Sequence, residues 1–296
     1  MSEVATTNAV AGRAPRRLTA LSWRRLVAHS SFVAGAVIVA GVIGAAAFAP
    51  FLAPFSPIEQ SFSQQLLSPS RTHPFGTDEF GRDIFSRVAY GARIALVVGV
   101  VADGIAALLG VALGVVSGYF GHRVDAVLMR TVDVLLAFPY LLLAMIVVAI
   151  LGPSLINAMI AIGIVYTPQF ARVVRSVVLQ VKGEDFVEAA RAIGAGSWRV
   201  LAYHVLPNIL SPIIVLATLT VGFMIVETAG LSFLGLGASP PTPEWGSMLA
   251  TGRSFMLTAP WIATFPGLAI LITVVGFNLI GDGIRDLLDP RLRGRR

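Results

Sequence analysis

The chain contains no cysteine. That absence excludes a disulfide framework and any Cys-ligated zinc or iron–sulfur centre. Charge is scarce as well, at 13% of residues, against roughly 25% in an ordinary soluble domain. A surface so poor in charge cannot be wetted, so a cytosolic enzyme and a disordered chain are both excluded. The four His stand at 29, 73, 122 and 204, without metal-ligand spacing, and no metal site is expected. The single Lys, Lys182, is not part of a G-x4-G-K-[ST] phosphate loop. G-x-S-x-G and H-E-x-x-H are absent too, and no catalytic residue is expected.

What the chain does have is apolar residues, 56% of the total, with a mean hydropathy of +0.81. The composition is that of an integral membrane protein, with lipid rather than nucleic acid as its surroundings. A bilayer core about 30 Å thick takes about 20 apolar helical residues to cross. One charge-free run covers residues 31–55, and a second covers 94–118, interrupted only by Asp103. No charge occurs over the 38 residues from Val134 to Ala171. One helix of that length would be about 57 Å long, and Gly152-Pro153-Ser154 splits it into a hairpin of two spans. Further spans cover 209–233 and 260–281. The expectation is an all-α protein with six transmembrane helices.

Orientation follows from where Arg and Lys lie. With the N-terminus inside, segments 1–30, 119–133, 172–208 and 282–296 hold five, two, five and five basic residues, 17 in all, against five outside. This predicts N-in and C-in. The organisation read from the sequence is a cytoplasmic tail at 1–30, a first span at 31–55 and an extracytoplasmic loop at 56–93. A five-helix core at 94–283 and a cytoplasmic tail at 284–296 follow. Ala47-Phe48-Ala49 resembles a signal-peptidase site. A polar N-region of about 30 residues, the length of the apolar run and Pro50 just after that site favour an uncleaved anchor.

Two outer segments carry polar residues. His73–Asp83 is dense in turn formers and is expected to pack as a loop with internal ion pairs. Beyond Pro240-Pro241-Thr242-Pro243, Trp245 and Met248 point to a short interfacial helix.

The inside segment 172–208 is different. Lys182-Gly183-Glu184-Asp185 opens a helix, with acids where its N-terminus favours them. Phe186, Ala189, Ala190 and Ile193 form an apolar stripe at i, i+3, i+4 and i+7, and Glu188 is within reach of Arg191. Gly194 and Gly196 stop this helix, Ser197 is placed to N-cap the next, Trp198–Val205, and Leu206-Pro207 ends that one. The polar face is acidic, unlike helices that lie on lipid. Two readings stand: a docking ridge for a protein groove, or a solvated loop helix.

Glu188-Ala189-Ala190, Gly194 and Leu206-Pro207 resemble the EAA loop of ABC importer permeases, EAA-x3-G-x9-I-x-L-P, with His204 where Ile is usual. Residues 73–96, 227–248 and 281–293 add to the resemblance. Together they are similar to the C-type permease of dipeptide and oligopeptide ABC importers, a group that includes nickel permeases. The resemblance implies the permease fold in a bacterial inner membrane and a peptide pathway shared with a second, homologous permease. An extracytoplasmic solute-binding protein would deliver the peptide. One or two ATP-binding subunits would dock on a coupling helix and loop at 184–207, through Phe186, Glu188, Ala189, Ala190, Ile193, Gly194, Leu206 and Pro207. ATP and Mg would be held by those subunits, with no cofactor in this chain.

Two carboxylates, Asp103 and Glu227, fall within spans. A mid-bilayer carboxylate costs about 2.5–3.5 kcal/mol to insert and faces a bundle interior or water. Each is read either as lining a pathway or as a hydrogen-bonded structural group. Ala106, Gly110, Gly114 and Gly118 place a small residue every four positions of the second span, which lets another helix approach closely. Pro139 and Pro168 are expected to kink the third and fourth spans. An ion-coupled secondary transporter would use the same carboxylates but is usually built from internal repeats, and none is evident here. A membrane-embedded hydrolase would need a base within the bilayer, and no His or Lys falls inside a span.

Overall fold

The computed structural model describes residues 29–288, and nearly all of their regular structure is helical. The basic residues outside that range, which weigh heavily in the orientation count, and the end of the 281–293 stretch lie outside the described residues.

Helix α1 runs Ser30–Ala47, short of the expected residue 55. Pro50 is the cause. It lies in the first turn of a separate four-residue helix, α2 (Ala49–Leu52), and would collide with the Ala46 carbonyl if α1 continued. Arg93 takes that end instead, donating from Nε to Ala46 O and from Nη2 to Ala47 O at 3.0 Å.

Helix α3, Ile84–Phe120, has 37 residues, a length of about 55 Å. It begins at Ile84 rather than Ile94 because Asp83 caps it, accepting from the Ser86 amide at 2.7 Å. Arg87 and Arg93 therefore ride on the helix rather than in the preceding loop. Gly121, at φ +67°, ends it.

Helix α4 (His122–Leu136) meets the 12-residue α5 (Tyr140–Leu151) at 96°. The third span thus starts at Tyr140, not Val134, and Pro139 precedes it as N-cap instead of kinking its interior. The residue before a proline is driven out of the α region, so α4 cannot run on into α5. Gly152, at φ +92°, turns the chain into α6, Leu155–Lys182, whose N-cap Ser154 accepts from the Asn157 amide at 3.1 Å. Pro168 lies inside α6.

The chain continues as α7 (Asp185–Ala192), α8 (Ser197–Val200), a π-turn at Leu201–Val205, and α9 (Leu206–Phe233). Helices α10 (Trp245–Arg253) and α11 (Trp261–Leu288) complete it. Helices α1, α3, α11 and the continuous run Ser197–Phe233 are long and apolar enough to cross a bilayer, and the bent α4–α5 pair makes a fifth if counted as one. The expectation from sequence was six. The difference lies at α5, which is only about 18 Å long, and at α6, where Arg172 and Arg175 cut the apolar run short.

Close backbone approach holds the bundle together. A Cβ on Gly110 would lie 2.3 Å from Phe170 Cβ, one on Gly114 2.6 Å from Ala171 O, and one on Gly118 2.8 Å from Val178 Cγ1. With Ala106 fully buried, these residues form the seam between α3 and α6. Gly35 does the same between α1 and α11, where a Cβ would meet Gly276 O at 2.7 Å.

Candidate functional site

The elbow at 184–207 joins α6 to α9. Three backbone features shape it. Gly194 takes φ +85°, a conformation costly for any residue with a Cβ. Its amide donates to Arg191 O at 2.9 Å, while the Ala195 amide reaches Ala190 O at 3.0 Å, the paired closure that ends a helix on glycine. The chain then restarts with Gly196 as N-cap and Ser197 as the first helical residue, without a side-chain cap. The expected Ser197 cap is corrected.

Leu206-Pro207 does not end a helix, contrary to the expectation. The π-turn over Leu201–Val205 runs straight into α9, with the Leu206 amide bonded five residues back to Leu201 O. A widened turn makes room for Pro207, which has no N–H to give and would otherwise press on the Tyr203 carbonyl.

The apolar stripe is also displaced. Val187 and Ala190 are the buried residues of α7, with Phe186 half-buried beside them, whereas Ala189 and Ile193 face outward. The packing partners explain the shift. Val187 and Ala190 join a cluster with Tyr119, Val174, Val178 and Leu201, so the face is set by the ends of α3 and α6. Arg191 sits over the Tyr119 ring, 5.4 Å from its centroid, rather than pairing with Glu188. Lys182 Nζ donates to Tyr119 O at 2.6 Å, tying the elbow to the end of α3. The elbow thereby leaves Ile193, Trp198 and Tyr203 exposed by 87%, 82% and 74%. Glu188 lies exposed on the same elbow.

The two intramembrane carboxylates differ. Asp103 is buried and accepts from Thr220 Oγ1, so α3 and α9 share it. Glu227 is half-exposed and accepts from Tyr166 Oη at 3.2 Å. Tyr166 in turn stacks on Tyr140, with centroids 4.9 Å apart. Sequence reading missed Thr220, Tyr140 and Tyr166, because each partner lies on another helix and no local spacing announces it.

At the start of α3, opposite the elbow, the loop is closed on itself by buried ion pairs. Arg82 pairs with Asp78 at 2.6 Å and with Glu79 at 3.3 Å, Arg87 lies 3.7 Å from Asp78, and His73 Nδ1 lies 3.0 Å from Asp83. Arg87 also donates to the carbonyls of Pro57 and Pro241. Burial pushes the Glu79 carboxyl above its usual range. The sequence suggested Trp245 as an interfacial anchor; the structure packs it inside instead. Its ring is buried and its Nε1 donates to Val88 O at 3.0 Å. Glu244 caps α10, accepting from the Gly246 and Ser247 amides at 2.9 and 2.7 Å.

Comparison with known proteins places this architecture. Residues 110–294 match the family described as binding-protein-dependent transport system inner membrane component. Residues 17–69 match the N-terminal TM domain of oligopeptide transport permease C. The dipeptide transport system permease protein DppC of Alkalihalophilus pseudofirmus is 49% identical, over 92% of this chain and 90% of that one. The probable D,D-dipeptide transport system permease protein DdpC of Escherichia coli is 47% identical, over 89% of each. A glutathione transport system permease protein of Pectobacterium atrosepticum is 44% identical, over 92% of this chain and 90% of that one. Among solved structures, the MetNI methionine ABC transporter in an inward-facing conformation superposes with a TM-score of 0.56 at 19% identity, over 68% of this chain and 96% of that one. That likeness is one of fold. With its apolar helices and these matches, the chain is a multi-pass protein of the bacterial inner membrane and belongs to the family of binding-protein-dependent (ABC importer) permease subunits.

Proposed function

We propose that this chain is the C-type permease of a short-peptide importer, forming the pathway with a second, homologous permease. The observation that carries this reading is the elbow. Three large apolar side chains stand in the open at the end of a helix pair whose own packing is complete, which is the form of a ridge awaiting a groove. ATP-binding subunits dock there through Phe186, Glu188, Ala189, Ala190, Ile193, Gly194, Leu206 and Pro207, and hold the ATP and Mg themselves. A solute-binding protein delivers the peptide at the opposite face. Peptide is favoured over nickel by the names of the relatives.

In this reading α5 and α6 cross the membrane as the third and fourth of six spans. Both termini and the elbow are cytoplasmic, and the loop around Asp83 is extracytoplasmic. The small-residue seam of Ala106, Gly110, Gly114 and Gly118 is structural, Asp103 locks α3 to α9, and Glu227 faces the pathway.

The test is uptake in proteoliposomes containing the whole complex. Dipeptide uptake should require ATP, persist with an ionophore, and be lost on Glu188→Lys with ATP hydrolysis retained. Uptake that survives ATP depletion and collapses with the ionophore would replace this reading with an ion-coupled carrier.

A further inference from the structure

We propose that Glu227 is the counter-charge for a primary ammonium group of the solute in transit, with Tyr166 holding the carboxylate in position. The inference deepens the peptide-importer reading and rests on it.

Position is the first observation. Glu227 lies six residues, about 9 Å, before the end of α9 at Phe233, within the run Ser197–Phe233 that is long and apolar enough to cross a bilayer, and it bonds to Tyr166 in the first half of α6. The carboxylate therefore sits on a membrane-crossing helix, bonded across to a second helix. A charge on such a helix is not left against lipid, yet Glu227 is only half-buried, and its neighbours Phe223 and Val226 on α9 are exposed by 51% and 44%. This side of α9 is uncovered by the chain's own helices, and a carboxylate on it requires water or a polar solute in front.

Charge balance is the second. Among the described residues no Lys, Arg or His forms an ion pair with Glu227, and Tyr166 is the side chain that donates to it. The second carboxylate oxygen is not among the buried polar atoms lacking partners, so it is open to a donor from outside. Asp103 offers the contrast, since it is sealed between α3 and α9 and bonded to Thr220.

Chemistry selects the ligand. One carboxylate beside one phenol supplies far too few oxygens for Ca²⁺ or Mg²⁺, which want six or more. An ammonium has three donors and no acceptor, and it is satisfied by a carboxylate, a hydroxyl and an aromatic surface. Tyr166 supplies the hydroxyl that holds the carboxylate, and Tyr140, stacked on it and only partly buried, adds an aromatic surface beside it.

The experiment uses the complete importer in proteoliposomes, with alanyl-alanine as the probe. Glu227→Gln should lower the uptake kcat about tenfold, the loss of one charge-assisted contact, and Glu227→Asp should restore most of it. Binding-protein-stimulated ATP hydrolysis and the yield of assembled complex should be unchanged in both. Because the chain has no cysteine, Glu227→Cys gives it a single thiol, which a water-soluble cationic methanethiosulfonate should label in the membrane, more slowly in the presence of dipeptide. Full uptake by Glu227→Gln, a thiol inert to the aqueous reagent, or loss of assembly in Glu227→Gln (the sign of a partner's cation) would each overturn the inference. A wild-type complex that moves no dipeptide at all would instead overturn the importer reading beneath it.

Discussion

The two ends of α3 are built on opposite terms. At its start, charge is internal: Asp78, Glu79, Arg82, Arg87, His73 and Asp83 are paired with one another and mostly buried. At its far end Tyr119 anchors an elbow that keeps Ile193, Trp198 and Tyr203 outside. The first end buries its charges against one another, whereas the second leaves large apolar side chains in the open. Buried pairs of this kind are costly to break one member at a time, while exposed side chains can be changed with little effect on the fold. A mutational comparison of the two ends therefore separates stability from coupling.

The largest expected effect severs the seam that both ends share. Gly110→Leu would drive a side chain into Phe170 and the α6 backbone, and overpacking of that order costs about 3 kcal/mol or more. Loss of monodisperse protein in detergent is the expected outcome, and a well-behaved variant would show that α3 and α6 can separate. Next is Asp83→Ala, which removes the α3 cap and the His73 partner together. A loss of about 3 kcal/mol should lower the thermal midpoint, with ATPase docking measured on the surviving folded fraction intact.

Gly194→Val is a smaller change and has the opposite signature. Nothing lies within 4 Å of its Cβ position, so the cost is the backbone strain alone, about 1–2 kcal/mol. The midpoint should move little while uptake per ATP hydrolysed falls. Trp198→Ala should leave the midpoint unchanged and weaken ATPase copurification, and a large drop in its midpoint would mean the indole is packed rather than presented.

Smallest is Glu79→Gln. Burial raises the folded pKa of Glu79, so its contribution to stability is fully present below its unfolded pKa and is lost as pH rises through the folded one. The Gln variant should flatten that decline, with a net change at neutral pH of less than about 1 kcal/mol. A thermal-melt series across pH checks it.

Features that depend on one helix's own residues were legible in the sequence. Small residues at 106, 110, 114 and 118 mark a seam because the spacing alone puts them on one face. Gly152-Pro153-Ser154 and Gly194 mark turns because few other residues fit there. Features that depend on a second helix were not legible. The inward face of α7 is rotated onto Val187 because Tyr119 and Val174 dictate it, and Pro207 is tolerated because a π-turn opens beneath it. The start of α3 was hidden for a related reason. Hydropathy begins at Ile94, but the helix begins where Asp83 supplies a cap, and Arg87 is admitted because carbonyls from Pro57 and Pro241 receive it. Glu227 was visible as a charge, though its relation to Tyr166 was not.

Among the helices of 28 residues or more, α6, α9 and α11 each contain an internal proline, at 168, 212 and 266, and α3 contains none. Three of the long helices carry an internal proline and one does not; that one is held at its outset by the Asp83 knot and at its finish by Lys182 and Arg191 on Tyr119. If the elbow is the docking ridge proposed above, α3 is the helix best suited to carry its displacement to the opposite loop, since it lacks the break that a proline puts in a helix.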